Sequence, residues 1–209
     1  MDLNDYYRQV CKLYFPNAII CADEFHVIKN LNDYFDNVRK RCRRNCDSDL
    51  YIYLLTKFEC VLSVDADLDN IGKYNRKLGR YINYRGIREL IFEAFPDIRI
   101  AYELKEDYIS FNRTATLNNA ETELEKLIEA FKNCSIKEYK AFSSLLINWK
   151  KEIVNSFVVI EGKRINNSFI ESRNRQIGSL IYNANGLSNF KRTRNRIMYC
   201  INKNDTYSI

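Results

Sequence analysis

One short run, Ala18-Ile19-Ile20-Cys21-Ala22, is apolar and β-branched at its centre, and it stands among eight or nine segments whose apolar residues recur at helical spacing. By composition it reads as a buried strand ending at Asp23. A single strand cannot make a stable sheet. Either Ala18–Ala22 is not a strand, or its partners are absent from this chain.

The rest of the pattern is helical. Leu3, Tyr6, Tyr7, Val10 and Tyr14 mark a helix over 3–15 that Pro16-Asn17 stops. Val27, Ile28, Leu31, Tyr34, Phe35 and Val38 mark another, with Arg39, Lys40, Arg41, Arg43 and Arg44 in its last turns. Further helices are predicted over 49–62, 86–95, 98–112, 118–132 and 135–157, with loops near Asp65–Asn75, Pro96-Asp97 and Asn133. Phe157–Ile160, before Glu161-Gly162, reads as a short extended piece. Asn167-Ser168 opens a helix of about 169–182, Asn185-Gly186 ends it, and Ser188-Asn189 opens the last one.

Charge is uneven along the chain. Residues 150–209 hold 11 Lys+Arg against 4 Asp+Glu, whereas residues 1–149 hold 22 against 23. A basic end on a near-neutral body suits a polyanion partner, most simply nucleic acid; the bland alternative for it and for Arg39–Arg44 is a solvated helical face. The N-terminus has neither the basic start nor the apolar stretch of a signal peptide, and no apolar run reaches the length of a membrane span. Seven cysteines without framework spacing read as reduced thiols, hence a cytoplasmic location.

Few constellations carry chemistry. Asp65, Asp67 and Asp69 imitate a calcium loop, but Asn70 and Arg76 stand where Gly and Glu are needed. Cys42 and Cys46 lack a second pair for zinc. His26, the one histidine, lies three residues after Asp23 at the strand end, where sites in α/β proteins gather. Glu171 completes a capping box with Ser168, which explains it without any catalytic role.

Taken together, Met1-Asp2-Leu3 with Tyr7, Phe15-Pro16-Asn17-Ala18 and Ala22-Asp23-Glu24-Phe25-His26-Val27 resemble the insertion-sequence transposases of the ISL-three group. So do Tyr102–Glu106, Trp149 before Glu152-Ile153, Asn167-Ser168-Phe169-Ile170-Glu171-Ser172-Arg173-Asn174, and Asn185–Phe190 followed by Arg194, Asn195 and Arg196. The resemblance spans essentially the whole chain; the acid-bearing segment and the D-x-F-H motif are its specific parts. It implies a mainly α chain that is the C-terminal part of an RNase H-like α/β fold, with a large helical insertion and most sheet strands missing. Residues 1–29 would be a remnant of the catalytic core, 30–160 the insertion, and 161–209 the closing core helices with a basic face.

The resemblance also implies function. Metal-dependent DNA strand cleavage and transfer would rest on two of three catalytic acids, Asp2 and Glu171, holding Mg²⁺ or Mn²⁺, with Asp23, His26 and Asn174 in support. Arg173, Arg175, Lys191, Arg192, Arg194 and Arg196 would meet the DNA backbone. The first catalytic Asp would be missing, so that a truncated chain would be inactive alone. Partners would be the insertion-sequence ends and target DNA, with a second copy or a full-length transposase, and no membrane. The alternative is a non-enzymatic helical DNA-binding or regulatory protein derived from a transposase.

Overall fold

The computed structural model describes residues 1–63, 66–160, 162–165, 168–184 and 189–201, apart from the side chain of Phe169. It divides into two units, Met1–Ile165 and Asn166–Ile209. Asp65, Glu161, Asn167, Asn185-Gly186 and Ser188, on which the calcium-loop, turn, helix-start and helix-stop readings partly rest, lie outside the described residues.

The first unit is helical. Its elements are α1 (Asp5–Tyr14), α2 (Glu24–Arg44), α3 (Asp49–Lys57), a 3₁₀ turn (Glu59–Leu62), α4 (Tyr84–Ala94), α5 (Pro96–Thr114), α6 (Ala120–Asn133), α7 (Lys137–Asn148) and α8 (Lys150–Asn155). Two small antiparallel hairpins join them. Strands β1 (Lys73–Asn75) and β2 (Arg80–Ile82) pair Tyr74 with Tyr81; β3 (Val159–Ile160) pairs with β4 (Lys163–Arg164). The segment predicted as one helix over 135–157 breaks at Trp149, whose backbone (φ −107°, ψ 11°) leaves the helical region.

The core forms where the apolar stripes of α2, α5, α6 and α7 meet. Leu31 and Val38 of α2, Ile98 and Tyr108 of α5, Leu124 and Phe131 of α6, and Tyr139 and Phe142 of α7 are all buried. Phe131 sits among aromatic neighbours, with ring centroids 5.0 Å from both Tyr139 and Phe142 in edge-to-face contact. The buried Tyr139 hydroxyl donates to the Ala101 carbonyl at 2.7 Å, so its polar end is satisfied.

Lys105 is buried at 1% exposure. Its Nζ donates to the Leu62 carbonyl at 2.7 Å, lies 3.4 Å from Glu106, and faces the rings of Phe35 and Tyr102 at 4.8 and 4.7 Å. Burial pushes its pKa down, against the weaker pull of Glu106. Between the folded and unfolded pKa values the unfolded chain binds the extra proton, so this residue's contribution rises with pH across that window. Lys105→Met should therefore fold at least as stably at pH 7 and lose that pH dependence, measured by urea unfolding at pH 7 and 9.5. A loss above about 2 kcal/mol would show that the charge holds the core together.

Ala18–Ala22 requires a correction. The segment is extended but is not a strand of any sheet among the described residues. One edge is covered by α8: the Ala22 N–H donates to the Glu152 carbonyl (2.8 Å) and the Asn155 amide donates to the Ile20 carbonyl (2.9 Å). On the other edge the Met1 amine donates to the Cys21 carbonyl (2.7 Å) and the Asp23 N–H to the Met1 carbonyl (2.8 Å). This is the bonding of one parallel bridge between Met1 and Ala22. A ladder needs successive bridges, and one residue alongside gives only one.

The basic cluster of α2 is largely structural. Arg39 is buried and pairs with Asp36 and Glu59; Lys40 pairs with Asp36, and Arg41 with Asp97 and Glu138. Arg39 and Arg41 are held by Glu59, Asp97 and Glu138 from other elements, whereas Lys40 and Arg44 stay exposed.

The second unit consists of α9 (Ser168–Asn183) and α10 (Phe190–Ile201), which pack on each other. Thr193, Ile197 and Ile201 of α10 are half-buried, as are Ile177 and Leu180 of α9. Phe190 shares the helical spacing of Thr193, Ile197 and Ile201, yet it is 82% exposed because it occupies the first position of α10, ahead of the packed stripe.

Candidate active site

Local bonding places the acids of the first unit. Asn4 caps α1 by accepting from the Tyr6 and Tyr7 amides at 2.9 and 3.3 Å, which starts the helix just after Asp2. The Met1–Ala22 bridge aligns Met1 with Ala22, and so the next residues, Asp2 and Asp23, fall side by side. Asp23 is the N-cap residue of α2, which carries His26 into the first turn. The His26 Nδ1 meets Asp23 Oδ2 at 2.7 Å and lies 3.5 Å from Asp2 Oδ1.

The three side chains differ in access. Asp23 is buried, with its side chain 5% exposed; His26 is at 24% and Asp2 at 51%. The inner carboxylate thus fixes the ring, and the outer one faces solvent. This grouping needs no sheet, only one parallel bridge and one helix start.

A second set of bonds holds α1 in place. The Arg8 guanidinium lies 4.2 Å from the Trp149 ring centroid, donates to Asn148 O at 2.7 Å, and approaches the buried Glu152 at 3.6 Å. Sequence patterning did not identify this anchor, because its partners lie more than a hundred residues apart. Arg8→Ala should therefore loosen α1 and the Asp2 backbone together. Faster amide hydrogen exchange in residues 2–12 than in α5 checks this, and unchanged protection contradicts it.

The other named residues lie in the second unit. Glu171 is exposed in the first turn of α9, where a carboxylate suits the helix dipole. Asn174 and Arg175, three and four residues on, share its face. Arg173 is half-buried and donates to Gln176 at 3.2 Å. Asn189 caps α10 by accepting from the Arg192 amide at 3.1 Å. Lys191, Arg192, Arg194 and Arg196 are exposed along α10 and form no ion pair among the described residues. The structure brings together Asp2, Asp23 and His26 in one unit, and in the other Glu171, Asn174 and Arg175 share a face of α9 by their helical spacing.

The donor chemistry fits a hard divalent cation in part. Carboxylate oxygens are the ligands Mg²⁺ prefers, and Asp2 presents them to solvent. Yet no group of three or more potential metal ligands occurs among the described residues. No described helix is long and apolar enough to cross a membrane.

A histidine oriented by a buried acid beside a second, exposed acid, in a chain that also carries a basic two-helix unit, suits a protein that handles nucleic-acid phosphates. A family model described as transposase matches residues 1–197. The chain belongs to the ISL3-type DDE transposases, whose work is DNA transposition. No curated protein and no solved structure matches it.

Proposed function

We propose that this chain takes part in metal-dependent cleavage and transfer of DNA strands, with Asp2 and Glu171 as two of the acids that hold Mg²⁺ or Mn²⁺. One observation carries the reading: a single backbone bridge sets Asp2 beside the Asp23–His26 pair at the end of an extended segment. When bound, the cations would activate a water or 3′ hydroxyl and offset charge at the phosphorus. Asp2 supplies oxygen donors. Asp23 orients His26, and His26 keeps an N–H near the Asp2 carboxylate. Glu171 supplies the second acid, with Asn174 beside it.

In this reading residues 1–29 belong to an RNase H-like core, 30–160 form the helical insertion, and 161–209 return to the core. The three-acid set that the family resemblance implies calls for a further acid beside Asp2 and Glu171. The chain alone is therefore expected to bind Mg²⁺ weakly and to leave DNA uncut, and to act with a full-length transposase or a second copy. A nicking assay on plasmid DNA with Mg²⁺ or Mn²⁺ tests this. Robust cutting abolished by Glu171→Ala would contradict it.

Arg173, Arg175, Lys191, Arg192, Arg194 and Arg196 are the proposed phosphate contacts. Such contacts are steeply salt-dependent and blind to base sequence. Arg192→Glu with Arg194→Glu should weaken duplex DNA binding at least tenfold at low salt, read by fluorescence anisotropy; an unchanged affinity would leave this only a solvated face. The non-enzymatic regulatory reading would be favoured by duplex binding that persists while Asp2→Asn leaves a mixed assembly with full-length transposase fully active.

A further inference from the structure

The β1–β2 hairpin carries cations that the fold does not use. Residues 70–88 contain six Lys and Arg and no Asp or Glu, and of these Arg85 and Arg88 pair with the flanking acids Asp69 and Glu89. Among the described residues Lys57, Lys73, Arg76 and Arg80 form no ion pair. This contrasts with Arg39–Arg41, whose acids are supplied by neighbouring helices.

The hairpin is rigidly built. Asn75 is buried, and its Oδ1 accepts from the Lys77 and Leu78 amides at 3.0 and 3.2 Å. Gly79, at φ 65°, closes the turn by donating to the Asn75 carbonyl at 2.8 Å. Asn70 Oδ1 accepts from the Tyr84 amide at 2.8 Å and ties the base of the hairpin to α4. At Gly86 a side chain would stand 2.8 Å from Ile82, so glycine lets the strand lie against the helix.

Between the hairpin, α3 and α4 lies a cleft of about 520 Å³. Its walls include the rings of Tyr53, Phe58, Tyr74 and Tyr84. Tyr53 and Phe58 meet edge to face at 5.7 Å, and Phe58 and Tyr84 at 6.3 Å, which makes a continuous aromatic wall. Lys57, Lys73 and Arg76 line the same cleft, and no acid does. The cross-strand neighbour Tyr81, 5.4 Å from Tyr74, is 76% exposed at the side.

We propose that this cleft binds an unstacked nucleotide of single-stranded DNA. Every base has an apolar face that stacks on aromatic rings, and its flanking phosphates need cations. The cleft supplies both within a volume suited to a small ligand. A base paired in a duplex cannot enter, so unpaired or distorted DNA is preferred. The site lies in the helical middle of the chain, draws on none of the proposed acids and on no residue of α10, and relies on the transposase reading only for choosing DNA over RNA.

The test uses the full chain and a labelled 20-nucleotide single strand, its duplex, and the matching RNA, by anisotropy over a salt series. Wild type should bind the DNA single strand more tightly than the duplex. Lys73→Glu with Arg76→Glu should lower single-strand affinity at least tenfold and reduce the salt slope by roughly 1.4. Tyr74→Ala, at a half-exposed position, should fold normally, weaken single-strand binding at least about fivefold and leave the salt slope unchanged. The cleft would be refuted by single-strand affinity untouched in both hairpin variants, by an effect of the charge variant with none from Tyr74→Ala, or by tighter binding of the RNA. Arg192→Glu with Arg194→Glu, which tests the phosphate contacts of α10, should keep the preference for single strands. That separates a failure here from a failure there.

Discussion

Asp2→Asn should lower metal-dependent DNA cleavage by about a thousandfold or more, equivalent to roughly 4 kcal/mol of transition-state stabilisation. The measurement is made in a mixed assembly that holds the complete set of acids. Asparagine keeps the size of the side chain and the cap-proximal backbone, but removes the charge and one hard oxygen donor. Asp2 is the outer member of its group, 51% exposed, so the loss falls on ligand binding rather than on packing. Asp23→Asn should behave differently. Asp23 is buried against His26 at 2.7 Å and acts by orientation, so its loss should cost about ten- to a hundredfold. Equal effects at the two positions would mean that Asp2 is not the ligand-facing acid.

Phe131→Ala should destabilise the first unit by about 3–5 kcal/mol, the range for removing a fully buried phenylalanine. Phe131 touches Tyr139 and Phe142 closely, and Tyr108 at 6.5 Å, so truncation opens a cavity between α5, α6 and α7. Rigid rings around the hole relax poorly, which puts the cost toward the upper end. Urea unfolding followed by circular dichroism would read the loss directly; less than about 1 kcal/mol would show that the aromatic cluster is not the core.

Much of the helical fold was legible in the sequence because helical periodicity is local. The spacing of Val27, Leu31, Phe35 and Val38 marks α2 without knowledge of its partners, and the structure buries all four. What failed was whatever depended on distant partners. Ala18–Ala22 has the composition of a buried strand, yet its edges are met by Met1, Glu152 and Asn155 rather than by strands. Trp149 interrupts a segment that reads as one helix, and its ring lies against Arg8. Arg39 and Arg41 resembled surface residues because Glu59, Asp97 and Glu138 stand far away in sequence, while Lys40 and Arg44 of the same cluster are exposed.

The β1–β2 hairpin escaped for another reason. Its strands are three residues each, too short for alternation to emerge, and Tyr74 and Tyr81 face outward where apolar patterning expects polar residues. The absence of acids across residues 70–88 was the available signal. At the candidate site, Asp23 and His26 were legible from their three-residue spacing just past the apolar run, read as a strand end, and the structure joins them at a helix start instead. The meeting of Asp2 with Asp23 depends on backbone pairing across twenty residues, which no local pattern encodes.

The sharpest test of whether Asp2 and Glu171 serve the same cations is a double-mutant cycle on Mn²⁺ affinity, titrated by electron paramagnetic resonance in the full chain. If both acids hold the same ions, Asp2→Asn and Glu171→Gln each weaken binding, and the double variant is little worse than either alone. If the two losses simply add, the acids act independently, and the shared catalytic centre proposed for them does not exist.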